Sequence, residues 1–350
     1  MDAIDVAVLR TDGETLIEPG PTGEFVYQPA EREAVRASLR QPEPSAAAVN
    51  AVTDAHIRAI ASFMQMHPQA ARAASLIGFH GQTTFHDPDN RVTVQIGDAQ
   101  RIADHFGLPV VSDFRKADVA AGGQGAPFAP LYHRALAEPL RKPMAVLNLG
   151  GVGNVTWIGE TGILAFDTGP ASALLDDWMR QKEGKPFDRD GEAARSGKVD
   201  GQRITLWLDS PYFAKSPPKS LDRNDFNIDT TDMSLSDGAA TLTAFTVESV
   251  ARSTDFMPET PEFWLVTGGG RRNRFMMESL AERLGAPVEP VEAVGWNGDA
   301  LEAQCFAWLA VRSERGLPLS LPETTGVPAP MPGGVTCQPA AAISARRRST

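Results

Sequence analysis

The segment Leu147-Asn148-Leu149-Gly150-Gly151-Val152-Gly153-Asn154 constrains this chain more than any other, because apolar runs flank it and an aspartate, Asp167, follows shortly after. Met144 to Leu149, Val155 to Ile158 and Ile163 to Phe166 read as three short strands, and Ala171 to about Arg180 as the helix after them. Gly-x-Gly raises a dinucleotide fingerprint. That reading fails, because Thr156 stands where the third glycine belongs and β-forming residues follow where a helix should. A glycine hairpin between strands is expected instead. Its amides, unshielded by side chains, suit phosphate oxygens; a plain tight turn is the competing reading. A Walker loop is absent from Gly191 to Lys198, where the spacing is wrong and Val199 replaces Ser or Thr.

Asp167 precedes Thr168, Gly169 and Pro170, with Pro170 near the first helical position. Thr168 or Gly169 is expected to cap that helix, which frees Asp167 for chemistry, and the helix dipole should keep its carboxylate ionised. A base or a metal partner is therefore favoured over a cap. Farther on, Phe263 to Thr267 reads as a strand leading through Gly268, Gly269 and Gly270 into a helix closed by Gly285. Three successive glycines at a helix start let a phosphate or a flat base lie against the backbone.

The first half shows the later part of the same order. Ile4 to Leu9 reads as a strand entering a hairpin at Thr11-Asp12-Gly13, with an extended piece near Phe25 to Tyr27 and a helix from about Glu31. Val49, Val52, His56, Ile57, Ile60 and Phe63 recur at helical spacing, and Leu76 to Phe79 forms a buried strand ending at His80-Gly81-Gln82. His80 and His86 match no standard zinc spacing; His80 and Gln82 suit sugar hydroxyls better. Gln95, Gly97, Asp98, Asp113, Arg115 and Asp118 follow strands ending near Val94 and Val111. Arg115 is a candidate clamp for a substrate carboxylate, against the alternative of a surface ion pair. Asp299 followed by Glu302 resembles a capping box; the other reading makes Glu302 a second acid near the site.

Composition narrows the function class. At 350 residues, with 42% hydrophobic and 22% charged residues, the chain is globular and long enough for two domains. A net charge of −11 disfavours nucleic acid and anionic membrane as partners, and the basic run Arg346 to Arg348 reads as a solvated terminus. Neither a membrane span nor a basic leader is apparent, so the cytoplasm is the expected location. Cys305 and Cys337 make neither a disulfide framework nor a zinc site. Residues 188–237 read as a polar insertion, and residues 335–350 as a disordered tail.

Gly78 to His86, Gln95 to Asp98, Ser112 to Pro130, Asn148 to Asn154, Phe166 to Pro170 and Thr267 to Asn273 together resemble the anhydro-N-acetylmuramic acid kinase family. The resemblance covers nearly all of the chain to about Gly334. It implies an α/β fold of two duplicated ribonuclease H-like lobes, of the sugar kinase, Hsp70 and actin type, with a cleft between them. The first lobe would span residues 1–140 and be joined by the helix 299–315; the second would span 141–298. The implied reaction uses ATP and Mg2+ to phosphorylate O6 of a 1,6-anhydro amino sugar while water opens the anhydro ring, in cell-wall recycling. Asp167 matches the family's catalytic aspartate, with Glu302 in reserve as base. Gly150, Gly151, Gly153 and Asn154 would hold phosphates, Gly268, Gly269, Gly270 and Asn273 the nucleoside side, and Asp2 an outer position at the metal. His80, Gln82, Asp98 and Arg115 would hold the sugar, and a homodimer is the assembly to test.

In one place the chain departs from the family. The family begins with a strand and a Ser-Gly-Thr-Ser-x-Asp loop, of which Met1-Asp2 matches only the end, so the first strand and first phosphate clamp are incomplete. A start codon assigned too late is favoured over real loss, and upstream in-frame codons are expected to encode the loop. Two other functions compete: an inactive kinase-like muropeptide-binding protein, and a glycoside hydrolase using Asp167 and Glu302.

Overall fold

Strands and helices alternate along the chain, and the computed structural model describes residues 3–221, 226 and 228–340. Two units separate, one of Met1–Leu136 with Ala300–Thr350 and one of Ala137–Asp299.

The first unit opens with β1 (Ala3–Thr11) and β2 (Ile17–Val26), an antiparallel hairpin turned where the Asp12 carboxylate accepts the amides of Glu14 and Leu16. Helices α1 (Pro29–Ala37), α2 (Ala46–Met66) and α3 (Pro68–Ala73) follow. The Ser45 hydroxyl caps α2, which buries Ala48, Val52, Ala55, Ala59 and Phe63, a three-to-four-residue stripe facing the core. Next come β3 (Ile77–Gly78), the hairpin β4 (Gln82–Asp87) and β5 (Val92–Ile96), α4 (Ala99–Phe106), β6 (Val110–Ser112), α5 (Lys116–Ala120) and α6 (Pro130–Leu136).

The second unit is built on β7 (Met144–Leu149), β8 (Val152–Ile158) and β9 (Ile163–Pro170). Helices α7 (Ser172–Glu183), α8 (Glu192–Ser196), α9 (Gly201–Leu208), α10 (Pro211–Ala214) and α11 (Leu235–Ser253) lead to β10 (Phe263–Thr267), α12 (Arg274–Leu284) and β11 (Val288–Pro290). Its sheet runs β9-β8-β7-β10-β11, with β7, β8 and β9 antiparallel and β10 and β11 parallel to β7. This is the strand order of a ribonuclease H-like lobe. β7 is central and almost wholly buried, as its near-continuous apolar run requires. Residues 188–237 send Ile204, Trp207 and Phe213 into this core.

The chain then rejoins the first unit through α13 (Leu301–Glu314), α14 (Pro322–Thr325) and β12 (Val335–Cys337). There, β1–β2 and β3–β6 stand as counterparts of β8–β9 and β10–β11, while no strand among the described residues is the counterpart of β7. Helices α2 and α13 each pack on β1; α13 also covers β3, and Val52 of α2 meets Phe79 just beyond it.

Two local expectations are corrected. The tail expected to be disordered from residue 335 contains β12, which pairs antiparallel with β6, because the open edge of β6 offers a ladder that composition does not reveal. The remainder, 341–350, with the arginines 346–348, lies outside the described residues. The capping box at Asp299 and Glu302 does not form either. Ala300 is the cap residue of α13, and the Asp299 carboxylate is drawn instead to Arg271 and Arg272. Among the described residues no helix is long and apolar enough to cross a membrane.

Candidate active site

β7 and β10 run parallel, so Asn148-Leu149 and Thr267-Gly268 end side by side, where open α/β sheets carry ligand groups. Gly150 and Gly151 make the turn into β8, while Gly153 and Asn154 already belong to that strand. The carbonyls of the turn are engaged: Gly151 O accepts the Ala171 amide at 3.1 Å and Gly150 O accepts the Ser172 amide at 2.9 Å. Those amides are the first of α7, so backbone carbonyls terminate this helix, and the cap expected from Thr168 or Gly169 is not used. The turn is thereby tied to α7, and amides are the polar groups it has left for an anion.

Gly268 sits at φ +77°, and a Cβ there would lie 2.4 Å from Asn148 Oδ1 and 2.7 Å from Leu149 O. Only glycine fits this crossing. Gly269 has nothing within 4 Å of the corresponding position, so its backbone faces open space. A 3-10 turn, Gly269–Arg272, intervenes before α12, in place of the direct entry expected. Asn273 caps α12, its Oδ1 accepting from Met276 N at 3.0 Å, so the side chain expected to hold nucleotide is engaged in the fold. Arg271, whose side chain is only 6% exposed, donates to Gly268 O, Glu292 and Asp299 and pins the glycine turn. Gly268→Ala is expected to push this turn away from the end of β7 and raise KM for ATP at least tenfold with a smaller change in kcat. Steady-state kinetics checks this, and an unchanged KM would remove the turn from the nucleotide site.

Asp167 lies within β9, not beyond it, opposite Asn154. The ladder pairs Gly153 with Gly169 and Asn154 with Asp167, so Thr168 is the extra residue of a bulge, a device that re-aims the neighbouring side chain. The Asp167 amide donates to Lys219 O at 3.0 Å, its carbonyl accepts from the Tyr212 hydroxyl at 2.6 Å, and its Oδ2 accepts from Leu221 N at 2.8 Å. Burial pushes the Asp167 carboxyl up to about 7, and the Leu221 amide only partly opposes it. The expectation that a helix dipole keeps this group ionised is corrected: desolvation dominates. A carboxyl that titrates near neutrality can take a proton from water or a hydroxyl.

In the first unit, His80 and Arg115 are direct partners. Arg115 Nε donates to His80 Nε2 at 2.9 Å, and its Nη1 donates to Gly125 O. His80 Nδ1 lies 2.8 Å from Gly81 O, so the proton sits on Nδ1 and the ring is neutral. Burial, reinforced by the Arg115 charge, pushes His80 down to about 3. Arg115 also stacks near Phe128 and feels the Glu302 charge first among its neighbours. A cavity of about 350 Å³ is lined by His80, Gln95, Asp98, Ser112, Asp113 and Lys116, among others. Asp98 caps α4 through Arg101 N, and Gln82 donates to Thr83 O within β4 and does not line this cavity.

Glu302 is exposed on the first turn of α13, and Asp2 lies outside the described residues. Lys116, Lys219, Tyr212 and Leu221 were not foreseen. Lys116 follows Arg115 directly, a basic pair that could have marked it, whereas nothing in the spacing links Asp167 to residues 45 or more positions later.

The family model described as anhydro-N-acetylmuramic acid kinase matches residues 1–338. A protein of that name from Rhodospirillum rubrum is 52% identical, covering 98% of this chain and 92% of the relative. Another from Acidiphilium cryptum is 50% identical, covering 97% and 96%. Among solved structures, component A of Acidaminococcus fermentans (R)-2-hydroxyglutaryl-CoA dehydratase overlays with a TM-score of 0.45 at 11% identity, covering 89% of this chain and 99% of that one. Half of the residues are shared along almost the whole length of both named relatives, and the chain belongs to the anhydro-N-acetylmuramic acid kinase family.

Proposed function

We propose that the chain transfers the γ-phosphoryl group of ATP to O6 of 1,6-anhydro-N-acetylmuramic acid while water opens the anhydro ring, giving N-acetylmuramic acid 6-phosphate. The observation that carries this reading is Asp167, a carboxyl titrating near 7 in the same lobe as two glycine turns at the ends of parallel strands. Asp167 takes a proton from the water that attacks C1; the C1–O6 bond breaks, O6 attacks the γ-phosphorus, and ADP leaves. Gly150 and Gly151 offer amides to the phosphates, with Gly153 and Asn154 shaping the start of β8 beside them, and Gly268 to Gly270 receive the nucleoside side. His80 and Asp98 offer polar groups to the sugar from the first-lobe cavity, Gln82 follows on β4, and Arg115 meets the lactyl carboxylate.

Magnesium fits the donor set. It is held mainly by phosphates and water with one or two carboxylates, so it needs no cluster of protein ligands, and none of three or more His, Cys, Asp or Glu occurs among the described residues. When bound it would neutralise charge on the transferring phosphoryl group. Asp2 is the outer carboxylate this reading assigns, and Glu302 the reserve acid. The reading extends to a cytoplasmic enzyme of cell-wall recycling acting on a small amino sugar, with a homodimer as the assembly to test. A net charge of −11 argues against nucleic acid as a partner.

Incubation with the anhydro sugar, ATP and magnesium in H2(18)O should yield ADP and a 6-phosphate carrying the label at C1. EDTA should stop it. Label-free product, or product formed without ATP, overturns the reading.

A further inference from the structure

Lys219 is the least expected buried cation of the second lobe. It is 4% exposed, and its ammonium lies 4.4 Å from the ring centre of Phe256, 4.8 Å from Tyr212 and 5.8 Å from Phe166. Among the described residues, its ammonium donates to Tyr212 O at 3.2 Å. Three aromatic faces around one ammonium make a desolvated cation–π cage, which holds a chain segment more firmly than a surface lysine can. No carboxylate among the described residues pairs with it there. The backbone of this lysine and of the second residue after it grips Asp167: Lys219 O accepts the Asp167 amide, and Leu221 N donates to the Asp167 carboxylate.

The arrangement differs from an ordinary parallel bridge, in which one residue bonds the two residues flanking its neighbour and the Leu221 amide would return to the Asp167 carbonyl. That carbonyl is taken by the Tyr212 hydroxyl. Tyr212 thus has two roles: its ring walls the lysine cage, and its hydroxyl diverts the Leu221 amide to the side chain of Asp167. We propose that Lys219 and Tyr212 are positioning residues for Asp167, the caged lysine anchoring residues 219–221 as a strap that covers and orients the carboxylate. This rests on the reading of Asp167 as the base.

Among the described residues, the charged and titratable groups around this carboxyl are Lys219 on the strap, Lys215 just before it, Tyr212 on α10 and Asp255 beside Phe256; Asn154 faces it from β8. None of them rivals burial and the Leu221 amide in setting where Asp167 titrates. The two variants should therefore move the acid limb of the kcat profile in opposite directions. Lys219→Met keeps the length of the side chain and removes the cation. The strap loosens, water reaches Asp167, and the larger influence, burial, is lost. The limb moves to lower pH by about one unit, and plateau kcat falls about tenfold as orientation is lost. Tyr212→Phe keeps the cage wall and frees the Asp167 carbonyl to recapture the Leu221 amide. Burial persists without its opposing bond, and the limb moves to higher pH. Lys219→Arg, whose guanidinium also stacks on aromatic rings, restores most of the loss.

The experiment is the kcat profile from pH 5 to 9 for the full chain and these three variants, with Asp167→Asn alongside. A limb that stays in place in both Lys219→Met and Tyr212→Phe, or moves the same way in both, overturns the proposal, as does a Lys219→Arg enzyme no better than Lys219→Met. If Lys219→Met fails to fold, Tyr212→Phe decides: an upward limb supports the strap, and a fixed or lowered one overturns it. Parental activity in Asp167→Asn sinks the base assignment itself. An inactive Asp167→Asn with unmoved limbs sinks the strap alone.

Discussion

Asp167→Asn is expected to lower kcat by about three orders of magnitude, within the range for loss of a general base, while making the protein more stable at pH 8. The two effects share one cause. The carboxyl sits at a pKa of about 7 because packed protein replaces water around it. Its ordinary value is 3.8, so between these limits the folded state holds a proton that the unfolded chain has released. Stability therefore falls as pH rises from about 4 to about 7, and above 7 the full cost of a desolvated carboxylate remains. Asparagine is neutral throughout and can still offer Oδ1 to the Leu221 amide. Its melting temperature should exceed the parent's at pH 8 and match it near pH 4, where both side chains are uncharged. Thermal denaturation at the two pH values checks this. A variant no more stable at pH 8 would remove the electrostatic basis for the base assignment, even if activity were lost.

Asp167 also marks the limit of what local sequence reveals. The apolar runs of β7, β8 and β10 and the helix closed by Gly285 could be read from spacing and punctuation, because each buries a periodic face. Asp-Thr-Gly-Pro, however, reads as a turn, yet it continues β9 to Pro170. Pairing with Val152, Gly153 and Asn154 overrides that signal, and Gly169, at φ +148°, accommodates the bulge where a Cβ would press on Phe213 and Ser249 at 3.1 Å. The strap was invisible for a different reason. Lys219 and Leu221 reach Asp167 only through tertiary folding of a polar stretch whose composition suggests an excursion and nothing more.

Caps failed in the same manner. Thr168 and Gly169 stand where a cap is expected, and Asp299 and Glu302 have the spacing of a capping box. The first orphan amides of α7 are instead met by carbonyls of the glycine turn, some twenty residues earlier in the chain, and Asp299 is held by two arginines. Spacing identifies groups able to cap. It does not tell which distant carbonyl or cation reaches the position first. In the first lobe, the residues expected to meet a sugar divide by contact: His80 and Asp98 line one cavity, and Arg115 stands behind His80. Side-chain type suggested the class of ligand, whereas the order of contact came from packing.

That order gives the second large effect, at Asp118. This carboxylate is 1% exposed; its Oδ1 accepts the Gly125 amide at 2.7 Å, and its Oδ2 accepts the hydroxyls of Ser320 and of Thr325, the latter at 2.6 Å. It ties the glycine loop after α5 to a segment some 200 residues later. Asp118→Ala leaves three buried donors without their acceptor, at a cost of about 1 kcal/mol each or more. A loss of roughly 3 kcal/mol should lower the melting temperature by about 6 to 12 °C. Asp118→Asn separates two consequences. Its remaining oxygen can keep both hydroxyls, but its amide faces the Gly125 N–H, donor against donor. Gly125 O is the acceptor for Arg115, so the disturbance passes through a single residue to the guanidinium assigned to the lactyl carboxylate. The asparagine variant should melt within a few degrees of the parent yet show KM for the anhydro sugar raised about tenfold, with KM for ATP unchanged. Calorimetry and steady-state kinetics on both variants test the chain of contacts. Equal melting temperatures for Asp118→Ala and the parent would show that the buried carboxylate is not the tie, and an unchanged sugar KM in Asp118→Asn would separate Arg115 from the substrate.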